Sequence, residues 1–313
     1  AGCSSWSPAC AATARPDVWC AVLPDLDPAR AWLARRTYPR AEHDTAALVA
    51  AKAGRRTSVL LPARNEGETL GPILRDLARL TASGLVDEVL VVDSRSSDGT
   101  AAVAREAGVR VVEVPADGPD LGKGGAMRAG LAAMTGDLGV FLDADVEGGA
   151  AAFATALLAP LLADPALVLV KGFYRRPGSG GRVTELVARP LLSRHEPRLS
   201  GLMQPLSGEA GFRRDALLRL PLVSGYGVET GMLLSVLRAH GLDALGQVDL
   251  GERRHRSQDL VALGAMALQV QAAHDLVTGG ADVVEDDHVT FAGEPPELVA
   301  HRVVTRLLPP IDA

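Results

Sequence analysis

Apolar and polar positions follow two rhythms along the first half of this chain. TSVLLPA (57–63) is a short β-rich run and predicts a strand ending near Pro62. Leu70, Ile73, Leu74, Leu77 and Leu80 then recur at helical spacing, predicting a helix from Glu66 to Ser83. VDEVLVVDS predicts a second strand, SDGTAAVAREAG a capped helix closing at Gly108, and VRVVEVP a third strand. GKGGAMRAGLAAMTG reads as a glycine loop feeding another helix, and LGVFLDAD as a fourth strand. Upstream, Asp27 to Ala53 predicts helix in two pieces broken near Pro39, while residues 1–23 read as disordered or loosely packed. The tail VTFAGEPPELVAHRVVTRLLPPI is apolar without a clear period.

The order β-α-β-α-β-α-β implies a parallel sheet with helices on both faces. In such a sheet the ligand crevice lies beyond the carboxyl ends of the strands. Pro62, Ala63, Arg64 and Glu66 follow the first strand, Asp93 and Ser94 the second, Lys123 the third, and Asp143 and Asp145 the fourth. All four sets are therefore expected along one edge. Two carboxylates two positions apart at a strand end suit a hard divalent cation, since Mg²⁺ takes one or two protein carboxylates plus phosphate oxygens. The glycine loop matches neither the Walker spacing nor the GxGxxG fingerprint, which removes support for ATP hydrolysis and NAD binding.

Composition narrows the class. The formal net charge is −6, which argues against a general nucleic-acid binder. Basic residues still cluster locally at Lys171, Arg175, Arg176 and Arg182, and again at Arg253, Arg254, His255 and Arg256. Such clusters in an acidic chain suggest a small anionic ligand. The three cysteines, Cys3, Cys10 and Cys20, fit no zinc or disulfide framework. Neither a signal peptide nor an 18-residue apolar span is read, so a cytoplasmic protein without membrane attachment is expected.

PARNE, VVDSRSSDGT, GKGGAMRAG and FLDAD, in this order, resemble the nucleotide-sugar half of GT-A fold glycosyltransferases. LVKGFYRRP, GGRVTELVARPLL, QPLSGE, GYGVETG and QVDLGERRHRSQDLVALGAM resemble the glucosyl-3-phosphoglycerate synthases, whose relatives include mannosyl-3-phosphoglycerate synthases. The resemblance runs from about Arg30 to about Gln271. It implies an α/β fold of GT-A type, Rossmann-like and mostly parallel, with an acceptor-binding C-terminal half. The expected divisions are 1–54 (leader and helical segment), 55–170 (nucleotide-sugar half), 171–275 (acceptor half) and 276–313 (tail).

The resemblance also implies roles. Pro62, Ala63 and Glu66 would hold the donor base, with Ser94 nearby, and Lys123 would meet the phosphate or nucleoside end. Asp145 and His255 would bind Mg²⁺ or Mn²⁺. Asp143, with Ala144 beside it, and Glu229, with Tyr226, would lie at the donor sugar, and Asp143 and Glu229 are the catalytic candidates. Gly181, Arg182, Val183 and Thr184, with Arg253 and Ser257, would hold 3-phosphoglycerate. Arg supplies a permanent planar fork for phosphate or carboxylate. The implied reaction moves glucose from a nucleoside diphosphate, UDP by preference, to the acceptor 2-hydroxyl with retention of configuration. Glu229 is expected on a turn entering an apolar helix. GDP-glucose or GDP-mannose are the alternative donors, since Arg64-Asn65 and Arg95 depart from the family pattern, and an inactive nucleotide-sugar binder is a more distant alternative. A homodimer through the C-terminal half is also implied.

Overall fold

The computed structural model describes residues 26–175, 181–252, 262–292 and 297–312. The chain enters through α1 (Asp27–Arg36), a two-residue strand β1 (Thr37–Tyr38) and α2 (Thr45–Ala51). The expected helix is thus in two pieces, with extended chain between them where Pro39 lacks a donor. The alternating run follows: β2 (Thr57–Ala63), α3 (Gly67–Ser83), β3 (Glu88–Asp93), α4 (Thr100–Glu106), β4 (Arg110–Glu113), α5 (Gly122–Ala133), β5 (Leu138–Phe141) and α6 (Ala150–Ala163). The second half adds β6 (Leu169–Arg175), α7 (Arg189–His195), β7 (Ala210–Arg213), α8 (Arg214–Leu218), β8 (Leu222–Val223), α9 (Val228–His240), β9 (Leu245–Glu252), α10 (Ala262–Gly279), β10 (Val283–Ala292) and β11 (Glu297–Leu308).

One eight-stranded sheet runs β1-β9-β6-β7-β5-β2-β3-β4. Its pairs are parallel except those of β7, which lies antiparallel between β5 and β6. The strand period of two splits the core between the faces. Val59, Leu61 and Val91 pack on one face with the Leu70–Leu80 stripe of α3 and with α6. Leu60 and Leu90 turn to the other, against Met127 and Leu131 of α5 and Met232 and Leu233 of α9. Trp32, fully buried, donates its indole N–H to the Leu245 carbonyl at 2.9 Å and so ties α1 to β9. Helix α3 ends where Gly84 takes φ 77°, a left-handed cap that glycine adopts without strain.

The aperiodic tail forms a smaller sheet, β10-β11-β8. β10 and β11 pair antiparallel from Val283↔Arg306 to Ala292↔Glu297, and β11 continues against β8 through Leu307↔Val223. That pairing lays the tail beside the entrance to α9.

Candidate active site

The strand-end residues do gather at one edge. Pro62, Ala63, Glu66, Ser94, Lys123, Asp143, Ala144 and Asp145 all line one open pocket of about 490 Å³. Parallel pairing explains it. Ser94 N–H donates to the Ala63 carbonyl at 2.8 Å, so the chain leaves β3 level with the end of β2. β5 stops opposite Leu60, and Leu142 N–H donates to the Leu60 carbonyl at 3.0 Å as the chain runs on toward the same edge. β5 stops at Phe141, so Asp143 and Asp145 stand in the turn after it rather than in the strand. The Thr69 hydroxyl secures that turn through the Ala144 carbonyl at 2.8 Å and also donates to Glu66 at 2.9 Å.

The glycine segment corrects an expectation. Gly124 and Gly125 are helical residues of α5, not a loop around a ligand. A Cβ at Gly124 would fall 1.9 Å from the Val223 carbonyl oxygen. The missing side chains let α5 close on backbone of its own fold. Lys123 is thereby delivered from the first turn of a helix.

Lys123 is the hub of the site. Its Nζ lies 2.7 Å from Asp143 Oδ1 and 2.7 Å from Glu229 Oε1. Glu229 is 3% exposed and reaches this point from the first turn of α9, after the single 3₁₀ turn Gly225–Gly227. The turn into an apolar helix is thus present. Removal from bulk water pulls the Lys123 pKa down, but the Asp143 and Glu229 carboxylates overcome this and hold it well above its usual value. Lys123 is a permanent cation here.

Tyr226 lines the pocket and is 43% exposed. Its N–H donates to Gln269 Oε1 on α10 at 2.7 Å, and Gly225 N–H donates to the Leu121 carbonyl at 2.8 Å. The turn before Glu229 is therefore pinned from two sides. Gln269 lay within an apolar helical run and carried no motif. The acceptor candidates sit apart from the pocket lining. Gly181 takes φ 80°, Val183 and Thr184 are buried, and Val183 packs with Ala188 on Val270 of α10. Arg182 precedes a π-helical turn, Thr184–Ala188. Arg253, His255 and Ser257 lie outside the described residues.

Two further departures find structural uses. Arg64 and Asp120 form an ion pair of 2.6 Å on the pocket wall. Arg95, at φ 62°, donates to the carbonyls of Pro115, Gly118 and Pro119, and so ties down the loop before α5. Lys171 is the larger surprise. The sequence groups it with a basic cluster suited to a small anionic ligand, yet it is 1% exposed and donates to the Ser207 carbonyl. It sits in the middle of the sheet on β6, where only alternation with Val170 and Gly172 could have signalled an inward side chain.

A divalent cation fits the donor chemistry. Glu66, Asp120, Asp143 and Asp145 line the pocket against Arg64 and Lys123, four carboxylates to two cations, a net −2. A diphosphate would meet repulsion there unless a cation reversed the sign. Among the described residues no cluster of three or more His, Cys, Asp or Glu side chains is set to hold an ion. Of the expected metal ligands, Asp145 stands on this pocket wall, and His255 lies outside the described residues.

Residues 58–219 match the glycosyl transferase family 2 profile. A glucosyl-3-phosphoglycerate synthase of Mycolicibacterium paratuberculosis is 44% identical over 80% of this chain and 80% of its own. The chain belongs to the glucosyl-3-phosphoglycerate synthase family. The fold is GT-A. A glucosyl-3-phosphoglycerate synthase from Mycobacterium tuberculosis, solved with Mn²⁺, UDP-glucose and phosphoglyceric acid, superposes with a TM-score of 0.77 at 41% identity, covering 88% of this chain and 97% of that one. The same enzyme is solved with Mg²⁺ and UDP. A mannosyl-3-phosphoglycerate synthase from Rubrobacter xylanophilus superposes with a TM-score of 0.83 at 35% identity, covering 91% of this chain and 97% of that one. No helix among the described residues is long and apolar enough to cross a membrane.

Proposed function

We propose that the protein transfers glucose from UDP-glucose to the 2-hydroxyl of 3-phosphoglycerate, with retention of configuration, releasing UDP and glucosyl-3-phosphoglycerate. The observation that carries this reading is the Asp143–Lys123–Glu229 bridge at the edge of the strand-end pocket. It sets one permanent cation between the carboxylates at the end of β5 and at the start of α9.

In this reading Pro62, Ala63, Glu66 and Ser94 take the nucleoside, Lys123 the diphosphate end, and Asp143, Tyr226 and Glu229 the hexose. Asp145 and His255 would hold Mg²⁺ or Mn²⁺, which when bound supplies positive charge to the departing diphosphate. Lys123 adds a fixed positive charge in a site removed from bulk water, where it is worth more than in solution. Arg182, from the segment seated on α10, takes the acceptor phosphate or carboxylate, with Gly181, Val183 and Thr184 shaping the loop and Arg253 and Ser257 completing it. Asp143 and Glu229 are both tied to Lys123, which favours front-face attack by the acceptor hydroxyl over an enzyme nucleophile. The protein works as a cytoplasmic homodimer. The supporting surface is the β10–β11 ribbon, where Val283, Val289 and Leu298 are exposed apolar side chains; light scattering should return twice the chain mass.

The test mixes protein, Mg²⁺ and 3-phosphoglycerate with UDP-glucose, GDP-glucose or GDP-mannose and follows acceptor-dependent nucleoside diphosphate release. Release with UDP-glucose is expected. Release with GDP-mannose alone moves the protein to the mannosyl reaction, which the Rubrobacter likeness keeps in view. No release from any donor by folded protein sinks the reading.

A further inference from the structure

Gln269 enters the pocket wall from α10, and its amide is held in one orientation. Tyr226 N–H donates to Oε1 at 2.7 Å, and in a carboxamide only the oxygen accepts. That bond assigns the oxygen and therefore the nitrogen. The amide also lies flat on Gly225. A Cβ built there would fall 2.4 Å from Oε1, 2.9 Å from Cδ and 3.2 Å from Nε2. Gly225 itself holds φ 61° and donates to the Leu121 carbonyl at 2.8 Å, two residues before Lys123. A Cβ at Gly122 would lie 3.2 Å from Gly225 Cα. So the Gln269 amide, the Gly225 turn and the Lys123 end of α5 are stacked in contact.

Among the described residues Nε2 has no hydrogen-bond acceptor from the protein. Its two N–H donors belong to a side chain that lines the same pocket as Lys123. Neutral donors in one pocket with a cation suit an oxygen-rich ligand. They lie against the Gly225 turn, which leads into Glu229, so they are placed toward the Lys123–Glu229 end of the site. The next residue, Val270, is fully buried against Val183 and Ala188, so the helix carrying this amide also seats the acceptor segment.

We propose that Gln269 is a donor-binding residue whose Nε2 donates a hydrogen bond to an oxygen in the diphosphate–hexose part of the nucleotide sugar. The inference rests on the nucleotide-sugar reading above and adds a contact that no motif assigns.

The decisive variant is Gln269→Glu. A carboxylate oxygen still accepts from Tyr226 N–H, so the turn keeps its tether, but both ligand-facing donors vanish and a negative charge appears. With Mg²⁺ present, calorimetric titration should show UDP-glucose binding weakened about tenfold or more, and kcat/KM should fall by a similar factor. Weakening shared by UDP assigns the contact to the diphosphate; weakening confined to UDP-glucose assigns it to a hexose hydroxyl. Wild type and variant binding both ligands equally well overturns this inference alone. A wild type that binds neither ligand overturns the nucleotide-sugar reading with it. Should the variant not fold, the wild type answers through its glutamine side-chain amide resonances. The Gln269 Nε2 pair, identified by its loss in Gln269→Met, must shift at saturating UDP-glucose, and a stationary pair overturns the inference.

Discussion

The pocket side and the core side of Glu229 each hold a lysine, and the two are driven in opposite directions. On the pocket side, Lys123 touches Asp143 and Glu229 at 2.7 Å each and stays charged far into the alkaline range. On the core side, Lys171 of β6 donates to a neutral carbonyl, that of Ser207. Burial pushes its pKa down to about 8, against the pull of Glu229 and with added repulsion from Lys123. Lys171 has lost bulk water and Lys123 most of it, its side chain remaining 20% exposed. The difference lies in whether a carboxylate is in direct contact or only nearby. Contact makes a fixed charge, whereas distance leaves a titratable one.

Breaking the pocket side should have the largest effect. Lys123→Met leaves two carboxylates facing each other without their cation. Removing one partner of a buried pair costs about 3–5 kcal/mol, readable by urea unfolding. Transfer should fall about 10²–10³-fold, the scale of losing a preorganised charge at a site of developing charge. A variant within tenfold of wild type in kcat/KM would mean that the bridge is structural only.

The core side is sharpened by pH. The folded Lys171 titrates at about 8 against an ordinary 10.5. Between those values the unfolded chain holds a proton that the folded chain has released, so stability rises with pH through this window. Below about pH 8 both states are protonated and the burial penalty is constant. The rise should amount to about 3 kcal/mol, at about 1.4 kcal/mol per pKa unit. Lys123, raised rather than lowered, stays protonated in both states through most of that window and lowers stability only as the pH nears 10.5, where the unfolded chain starts to lose its proton. Lys171→Met should flatten the profile from pH 8 to 10.5. An equal rise in wild type and variant would place the titration elsewhere.

The same contrast marks what the sequence makes legible. The pocket side is built at the ends of consecutive parallel strands, so chain order alone brings Pro62, Ser94 and Asp143 to one edge. Glu229 was readable because three glycine-turn residues precede an apolar helix. Lys171 was not, since a buried lysine and a surface lysine look alike until the strand's inward face is known. Gly124 and Gly125 misled for a related reason: glycines that admit a ligand and glycines that admit the Val223 backbone have the same spelling. The tail lacked a period because β10 and β11 form a ribbon whose partner, β8, is only two residues long. Ion pairs such as Arg302 with Glu285 and Asp287 stand on it among the exposed Val283, Val289 and Leu298, so charge and apolar positions are mixed.

Gly208 joins the two sides and offers the finest test. Its neighbour Ser207 holds Lys171 through its carbonyl and donates its hydroxyl to Glu209, itself fully buried, at 2.8 Å. On the opposite flank, a Cβ at Gly208 would fall 2.1 Å from Asp143 Oδ1 and 2.6 Å from Cγ. The Asp143 carboxylate occupies the space a side chain would need, so glycine serves here by size. Gly208→Ala must therefore turn Asp143 away and open its 2.7 Å bond to Lys123, while Lys171 keeps its carbonyl. The overpacking should cost about 1–3 kcal/mol. Transfer should drop about tenfold, the equivalent of about 1.4 kcal/mol, with the KM for 3-phosphoglycerate unchanged. The alkaline stability rise assigned to Lys171 should persist. Loss of that rise would mean that the Ser207–Glu209 segment moves as one body and that the two sides are coupled through it. Unchanged transfer would mean that Asp143 can leave Lys123 without consequence, and that Glu229 alone fixes the ammonium.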